Sequence, residues 1–244
     1  MSGHSKWSTI KQKKGKIDAA RAKVFTKIGR ELAVAVRDGG GTDPAANSKL
    51  RDCIAKAKSN NVPNENIERI IKKAAGDAGG TSYEAITYEG YGPGGVAMLV
   101  ETLTDNRNRT AGDIRHYFDK FGGNMGTPGC VSFIFEKKGV LIIERESISK
   151  SEDAVMEDAL EAGASDLESD NDIFTIFTEH SDLHDVIKDM SSKGYNFASA
   201  EAEMVPNSYT SISDKTLLEK MQKLLDVLDD NDDVQNIWHN CDNV

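Results

Sequence analysis

Nine cations within thirty residues are the densest chemistry this chain offers. Lys6, Lys11, Lys13, Lys14, Lys16, Arg21, Lys23, Lys27 and Arg30 share that stretch with one acidic residue, Asp18. Such a cluster suits phosphates, because each contact releases a condensed counterion and gives affinity without reading a base sequence. Trp7 lies among them, and its indole either stacks on an unpaired base or packs on the helical bundle that these residues help to form. A second cationic pair, Arg107 and Arg109, stands in Thr104-Asp-Asn-Arg-Asn-Arg-Thr110, just ahead of a predicted helix start. A helix N-terminus already presents partial positive charge. Two arginines beside it therefore call either for a phosphate-sized anion or for internal carboxylates, with Asp105 and Asp113 near in sequence.

The rest of the chain has the opposite sign. Residues 1–75 hold 17 Lys and Arg against 7 Asp and Glu, and residues 76–244 hold 13 against 33, so a net −10 conceals +10 followed by −20. A basic segment on an acidic body is the electrostatic footprint of a polyanion partner, since the body is repelled and so sets the orientation. The plainer reading is a solvated helix surface that is merely basic.

Catalytic and metal readings find no support in the spacing. His180 and His184 are four apart, but Ser181 stands where a zinc-protease motif requires Glu. The acidic runs 166–172 and 229–233 lack the central glycine and terminal glutamate of a calcium loop, and read as solvated turns. Cys53, Cys130 and Cys241 lie too far apart in sequence for a zinc site or a disulfide framework. The loops Gly90-Tyr-Gly-Pro-Gly-Gly95 and Gly122-Gly-Asn-Met-Gly126 run into apolar strands rather than helices, which points to tight turns or close backbone contact instead of nucleotide binding. Pro128 to Phe135 echoes the aromatic strand of RNA-recognition modules without its Gly-aromatic-Gly part. We expect no enzyme activity, no cofactor, no metal and no small-molecule substrate. No apolar run approaches the ~20 residues of a membrane span, and the start has no signal-like stretch, so a cytoplasmic protein without membrane contact is expected.

These residues must be positioned by the elements that the hydrophobic periods predict. Ile17, Ala20, Val24, Ile28, Leu32 and Ala35 recur at helical spacing and stop at Gly39-Gly40-Gly41. A second helix is predicted with Asp43-Pro44 as its start, and a third from Asn64 to Gly76. Together they predict a small bundle. Strands follow at 85–90 and 96–104, then a helix capped by Thr110 and running to Phe121, then a strand at 131–135. A βαββαβ series occupies 139–205, and a helix at 214–228 with a strand at 234–239 lacks a partner of its own, so it returns to the earlier strands. The expected fold class is α+β, with an N-terminal helical bundle and two ferredoxin-like α/β domains, one inserted in the other. The expected divisions are 1–80, 81–136 with 206–244, and 137–205.

Several stretches carry a family resemblance. Gly3-His-Ser-Lys-Trp7, Ile10-Lys11, Lys14, Asp18, Arg21, Lys23, Phe25 and Lys27 resemble the opening signature of the YebC family. Val62-Pro63 with Asn66-Ile-Glu-Arg69, Tyr88 to Gly95, Thr104 with Asn106-Arg107-Asn-Arg109, and Asp233-Val-Gln235 are similar to it as well. The resemblance implies a helical N-terminal domain followed by two α/β domains, and a regulator of gene expression without enzyme activity or cofactor. Bacterial members are probable DNA-binding transcriptional regulators. Mitochondrial relatives are translational activators of cytochrome c oxidase, and the family is connected with ribosomes.

The expected partner is therefore nucleic acid, either DNA or ribosomal or messenger RNA. Engagement of the ribosome is slightly favoured, because no helix-turn-helix or paired half-site arrangement is evident. The rival class is a protein-interaction adaptor.

Overall fold

A computed structural model describes Trp7, residues 19–76 and residues 82–244, the side chains of residues 19–22 excepted. Two compact units divide the chain. One takes Lys13–Val131 and Ile212–Ile237, the other Met1–Gln12, Ser132–Ser211 and Trp238–Val244.

In the first unit, α1 (Ala19–Asp38), α2 (Ser48–Ser59) and α3 (Asn64–Gly76) form a three-helix region. Ile28, Leu32, Ala35 and Val36 of α1 meet Leu50, Ala57, Val62 and Ile67, all buried. Each large aliphatic side chain removed from water contributes about 1.5–3 kcal/mol, and the helical period supplies just one such face per helix. The second helix does not start at Asp43-Pro44. Its cap is Asn47, whose carbonyl accepts from Leu50 N at 3.0 Å while its amide donates to Ala35 O at 2.7 Å and Gly41 O at 2.8 Å. A side-chain amide can accept once and donate twice in that buried position, which neither a carboxylate nor a single hydroxyl can, whereas Asp43 caps the preceding turn through Ala45 N.

The sheet of this unit begins with β1 (Glu84–Tyr91) and β2 (Ala97–Thr104), antiparallel from Glu84 opposite Thr104 to Tyr91 opposite Ala97. Next come α4 (Arg107–Phe121) and β3 (Asn124–Met125), which pairs with β1. Later in the chain, α7 (Lys215–Asp230) and β8 (Val234–His239) return to it, and the strand order is β3-β1-β2-β8. The return of the last helix and strand matches expectation, but the ferredoxin-like order does not. With only five residues between them, β1 and β2 must be neighbours, and no crossover helix separates them. The helix cap also moves, from Thr110 to Asn106, whose side chain accepts from Arg109 N at 3.1 Å.

The strand expected at 131–135 is absent among the described residues. Ser132–Ile134 is a 3-10 turn and Phe135 opens the next sheet. Glu89, 8% exposed, accepts from Gly129 N at 2.7 Å and Val131 N at 2.9 Å, so the first donor that a ladder there would need is already used.

The second unit contains β4 (Phe135–Glu144), α5 (Glu152–Glu161), β5 (Asp166–Ser169), β6 (Ile173–Glu179), α6 (Leu183–Ser192) and β7 (Ser199–Pro206). Its antiparallel sheet has the order β5-β6-β4-β7, the arrangement of a split βαβ unit, as the βαββαβ series predicts. Alternation along the strands gives two apolar faces. Leu141, Ile143, Phe174 and Ile176 pack under Val155, Ala159, Val186 and Met190 of the helices. Val140, Ile142, Ile173 and Phe177 form the opposite face, against which Trp7 is partly buried.

Candidate nucleic-acid interface

The cations predicted on the first helix follow its geometry. Lys23, Lys27 and Arg30 are spaced i, i+4 and i+7, so all three project from one face of α1. That face meets the end of α7 and the turn after it. Lys23 Nζ lies 2.6 Å from Asp230 Oδ1, and Lys27 Nζ donates to Asp229 O at 2.8 Å and approaches Asp229 Oδ1 at 3.1 Å. Arg30 Nη1 lies 2.6 Å from Asp233 Oδ1 and 2.7 Å from Asp232 O. Cations at a helix C-terminus also complement its partial negative charge, so two effects act in the same direction here.

Asp233 is the centre of this arrangement. Its other oxygen, Oδ2, lies 2.8 Å from Arg109 Nη2 and 2.7 Å from Thr110 Oγ1, with Thr104 Oγ1 at 3.2 Å. The residue is 4% exposed. Burial pushes its carboxyl upward, but hydrogen bonds from Arg109, Thr110 and Arg30 outweigh burial and hold it at about 2. The run 229–233, which reads from sequence as a solvated turn, thus ends in a buried, doubly paired carboxylate. Its charge is compensated by groups from α1, β2 and α4, which no local pattern reveals.

The Arg107 and Arg109 pair separates. Arg109 binds Asp105 at 2.9 Å as well as Asp233, so internal carboxylates take it, Asp105 as anticipated and Asp233 in place of Asp113. Arg107 stays 69% exposed, with Glu84 at 3.4 Å. Lys6, Lys11, Lys13, Lys14 and Lys16 lie outside the described residues, and so does the side chain of Arg21. Trp7 packs on the second unit's sheet and not on the helical bundle as expected, because Val140, Ile142, Ile173 and Phe177 offer an apolar sheet face there. On α2 and α3 the structure adds exposed Lys49, Lys58, Lys72 and Lys73, which the dense cluster at residues 6–30 overshadows in the sequence.

The glycine loops make close backbone contacts. A Cβ on Gly90 would stand 2.5 Å from Asn124 O, and one on Gly123 2.6 Å from Tyr91 O, so the two loops are packed together. Among the described residues no group of three or more His, Cys, Asp or Glu is placed to hold a metal ion. No described helix is long and apolar enough to cross a membrane.

Comparison with known proteins agrees with this architecture. Residues 5–77 match the model of the TACO1/YebC protein N-terminal domain, and residues 83–241 that of the TACO1/YebC second and third domain. A "probable transcriptional regulatory protein" of Acetivibrio thermocellus is 56% identical, covering 98% of both chains. One of the same name from Finegoldia magna is 54% identical over the whole of both chains. The crystal structure of a conserved hypothetical protein from Aquifex aeolicus matches with a TM-score of 0.84 at 42% identity, covering 93% of each chain. With two family models spanning nearly its full length and relatives above half identity, the chain belongs to the TACO1/YebC family.

Proposed function

We propose that this protein is a cytoplasmic, non-enzymatic regulator of gene expression that engages nucleic-acid phosphates through its basic N-terminal region, with RNA on the ribosome as its working target. The carrying observation is the segregation of charge, +10 over residues 1–75 against −20 over the remainder. Exposed Lys49, Lys58, Lys72, Lys73 and Arg107 add cations suited to phosphate, beside Lys6, Lys11, Lys13, Lys14 and Lys16 in the sequence. The names of the relatives support a regulatory role. An acidic body repels phosphates on both sides of a duplex, but it suits a cleft where RNA and basic proteins alternate, which favours the ribosome over promoter DNA.

Filter binding to single-stranded RNA and duplex DNA over a salt series tests the binding step. Affinity should fall steeply between low and physiological salt, and further when Lys11, Lys13, Lys14 and Lys16 become Gln. Equal affinity in that variant removes the reading and leaves a protein adaptor. Sucrose-gradient fractionation of lysate tests the target: co-migration with ribosomal particles is expected, and confinement to the top fractions at low salt excludes it.

A further inference from the structure

The cations of α1 that best fit a phosphate row are already held by carboxylates of the same chain. Lys23, Lys27 and Arg30 form one helical ridge, and each faces its own carboxylate at the end of α7 or in its turn, Asp230, Asp229 and Asp233 respectively. Each cation of the ridge has one carboxylate, as it would have one phosphate in a basic groove. We propose that the acidic segment Asp229–Asp233 is a built-in phosphate mimic that covers the α1 ridge until nucleic-acid phosphate displaces it.

Two features separate a removable part from a fixed one. The Lys23–Asp230 pair is exposed on both sides, 42% and 71%, so it is wet, screened by salt and individually weak, while Asp229 is 48% exposed beside a more sheltered Lys27 at 12%. Asp233 is 6% exposed in its side chain, doubly paired and bonded to two threonines, so it stays. Displacement is therefore local and graded: exposed Lys23 exchanges its carboxylate for phosphate first, Lys27 follows while its bond to Asp229 O holds it in place, and Arg30 remains the hinge pin. Because a polyanion brings many charges on one backbone, it outcompetes two exposed carboxylates at low salt, and the ridge then lengthens a basic track that continues in sequence to Lys16 and Lys13. The inference rests on the proposed binding of nucleic acid and adds a cover to that surface.

The test is the full-length Asp229→Asn/Asp230→Asn variant, which leaves Asp233 and the shape of the turn intact, titrated with an RNA oligonucleotide and a DNA duplex. Two lysines relieved of their carboxylates, Lys27 still donating to Asp229 O, should tighten binding several-fold at low salt and steepen the logarithmic salt slope by up to roughly 0.7 per lysine on a single strand and 0.9 on duplex DNA. Unchanged or weaker binding overturns the cover, while loss of binding in the Lys11, Lys13, Lys14 and Lys16 variant still upholds the nucleic-acid reading. Failure of every form to bind at low salt sinks both. Hydrogen exchange on the unmodified protein gives a second readout that does not depend on the variant folding. The oligonucleotide should deprotect the amide of Asn231, which donates to Leu228 O beside the two displaced carboxylates, and leave that of Val234, next to the anchored Asp233, unchanged. Added protection at Asn231 contradicts displacement.

Discussion

Arg30 and Asp233 stand 203 positions apart in sequence and 2.6 Å apart in the fold, Nη1 to Oδ1. The pair joins the first helix to the turn that follows the last one, and Arg109 completes it from α4. Replacing Asp233 by Asn keeps the shape but leaves two guanidinium groups facing a neutral amide in a largely buried site. Removing one partner of such a pair costs about 3–5 kcal/mol when burial is complete, and the partial exposure of Arg109 lowers the expectation to about 2–3. Urea unfolding of Asp233→Asn checks it, and a loss below about 0.5 kcal/mol would show that the cluster carries no structural load.

The same carboxylate fixes an acid response. Its folded value of about 2 lies below the ordinary aspartate value, so its ionised form stabilises the fold above about pH 4 and that contribution disappears as pH falls towards 2. A difference of nearly two units corresponds to about 2 kcal/mol. Stability measured from pH 5 to 2 should fall less steeply in Asp233→Asn than in the unmodified chain.

Much of the fold was legible because hydrophobic period alone fixes it. Leu141 and Ile143 alternate with Val140 and Ile142, and that period of two assigns the strand and both its faces. The site was less legible. Lys23, Lys27 and Arg30 read as one basic face, but what meets that face is decided by the path of a chain two hundred residues away. Asp233 looks from sequence like the fifth residue of an acidic run, and only tertiary contacts with Thr104, Thr110 and two arginines distinguish it. The misplaced strand at 131–135 has a similar cause, for Glu89, some forty positions upstream, takes the backbone donors of Gly129 and Val131 at its start.

Gly123→Ala and Gly112→Ala should move stability in opposite directions. At Gly123 a Cβ would meet Tyr91 O at 2.6 Å and Gly92 Cα at 3.1 Å, both backbone atoms that cannot swing away. A loss of about 2 kcal/mol or more is expected, as for overpacking against a fixed wall. Gly112 lies exposed in α4 with nothing within 4 Å of a built Cβ, so alanine there should add about 0.5–1 kcal/mol through helix propensity. Thermal melts of the two variants check both signs.

A second pH response should come from His239. Burial lowers its ring to about 4, and Cys241 N donates to its Nδ1 at 3.3 Å, a bond that the neutral ring accepts. The folded state therefore favours the neutral ring. Its contribution is whole above about pH 6.5 and is lost as pH falls from there towards 4, because the unfolded chain takes up the proton first. Unfolding midpoints measured between pH 7 and 4 should flatten in His239→Asn, and an unchanged slope would assign that window to other groups.

Trp7 decides between packing and base stacking, the two fates open to an aromatic among lysines. In the structure it lies partly buried against Val140, Ile142, Ile173 and Phe177. If that is its role, Trp7→Ala should cost about 1–3 kcal/mol of stability, below the full cost of a buried tryptophan, and Trp7→Phe should recover most of it. Nucleic-acid affinity of the folded variant should then change by less than about two-fold. Base stacking predicts another pattern, since losing an aromatic platform costs about 1–3 kcal/mol of binding, or roughly five- to 150-fold, with little effect on unfolding. Stability and affinity measured side by side on Trp7→Ala and Trp7→Phe therefore separate the two. We expect the loss to fall on stability, and a large affinity loss with unchanged unfolding would place Trp7 on the nucleic acid.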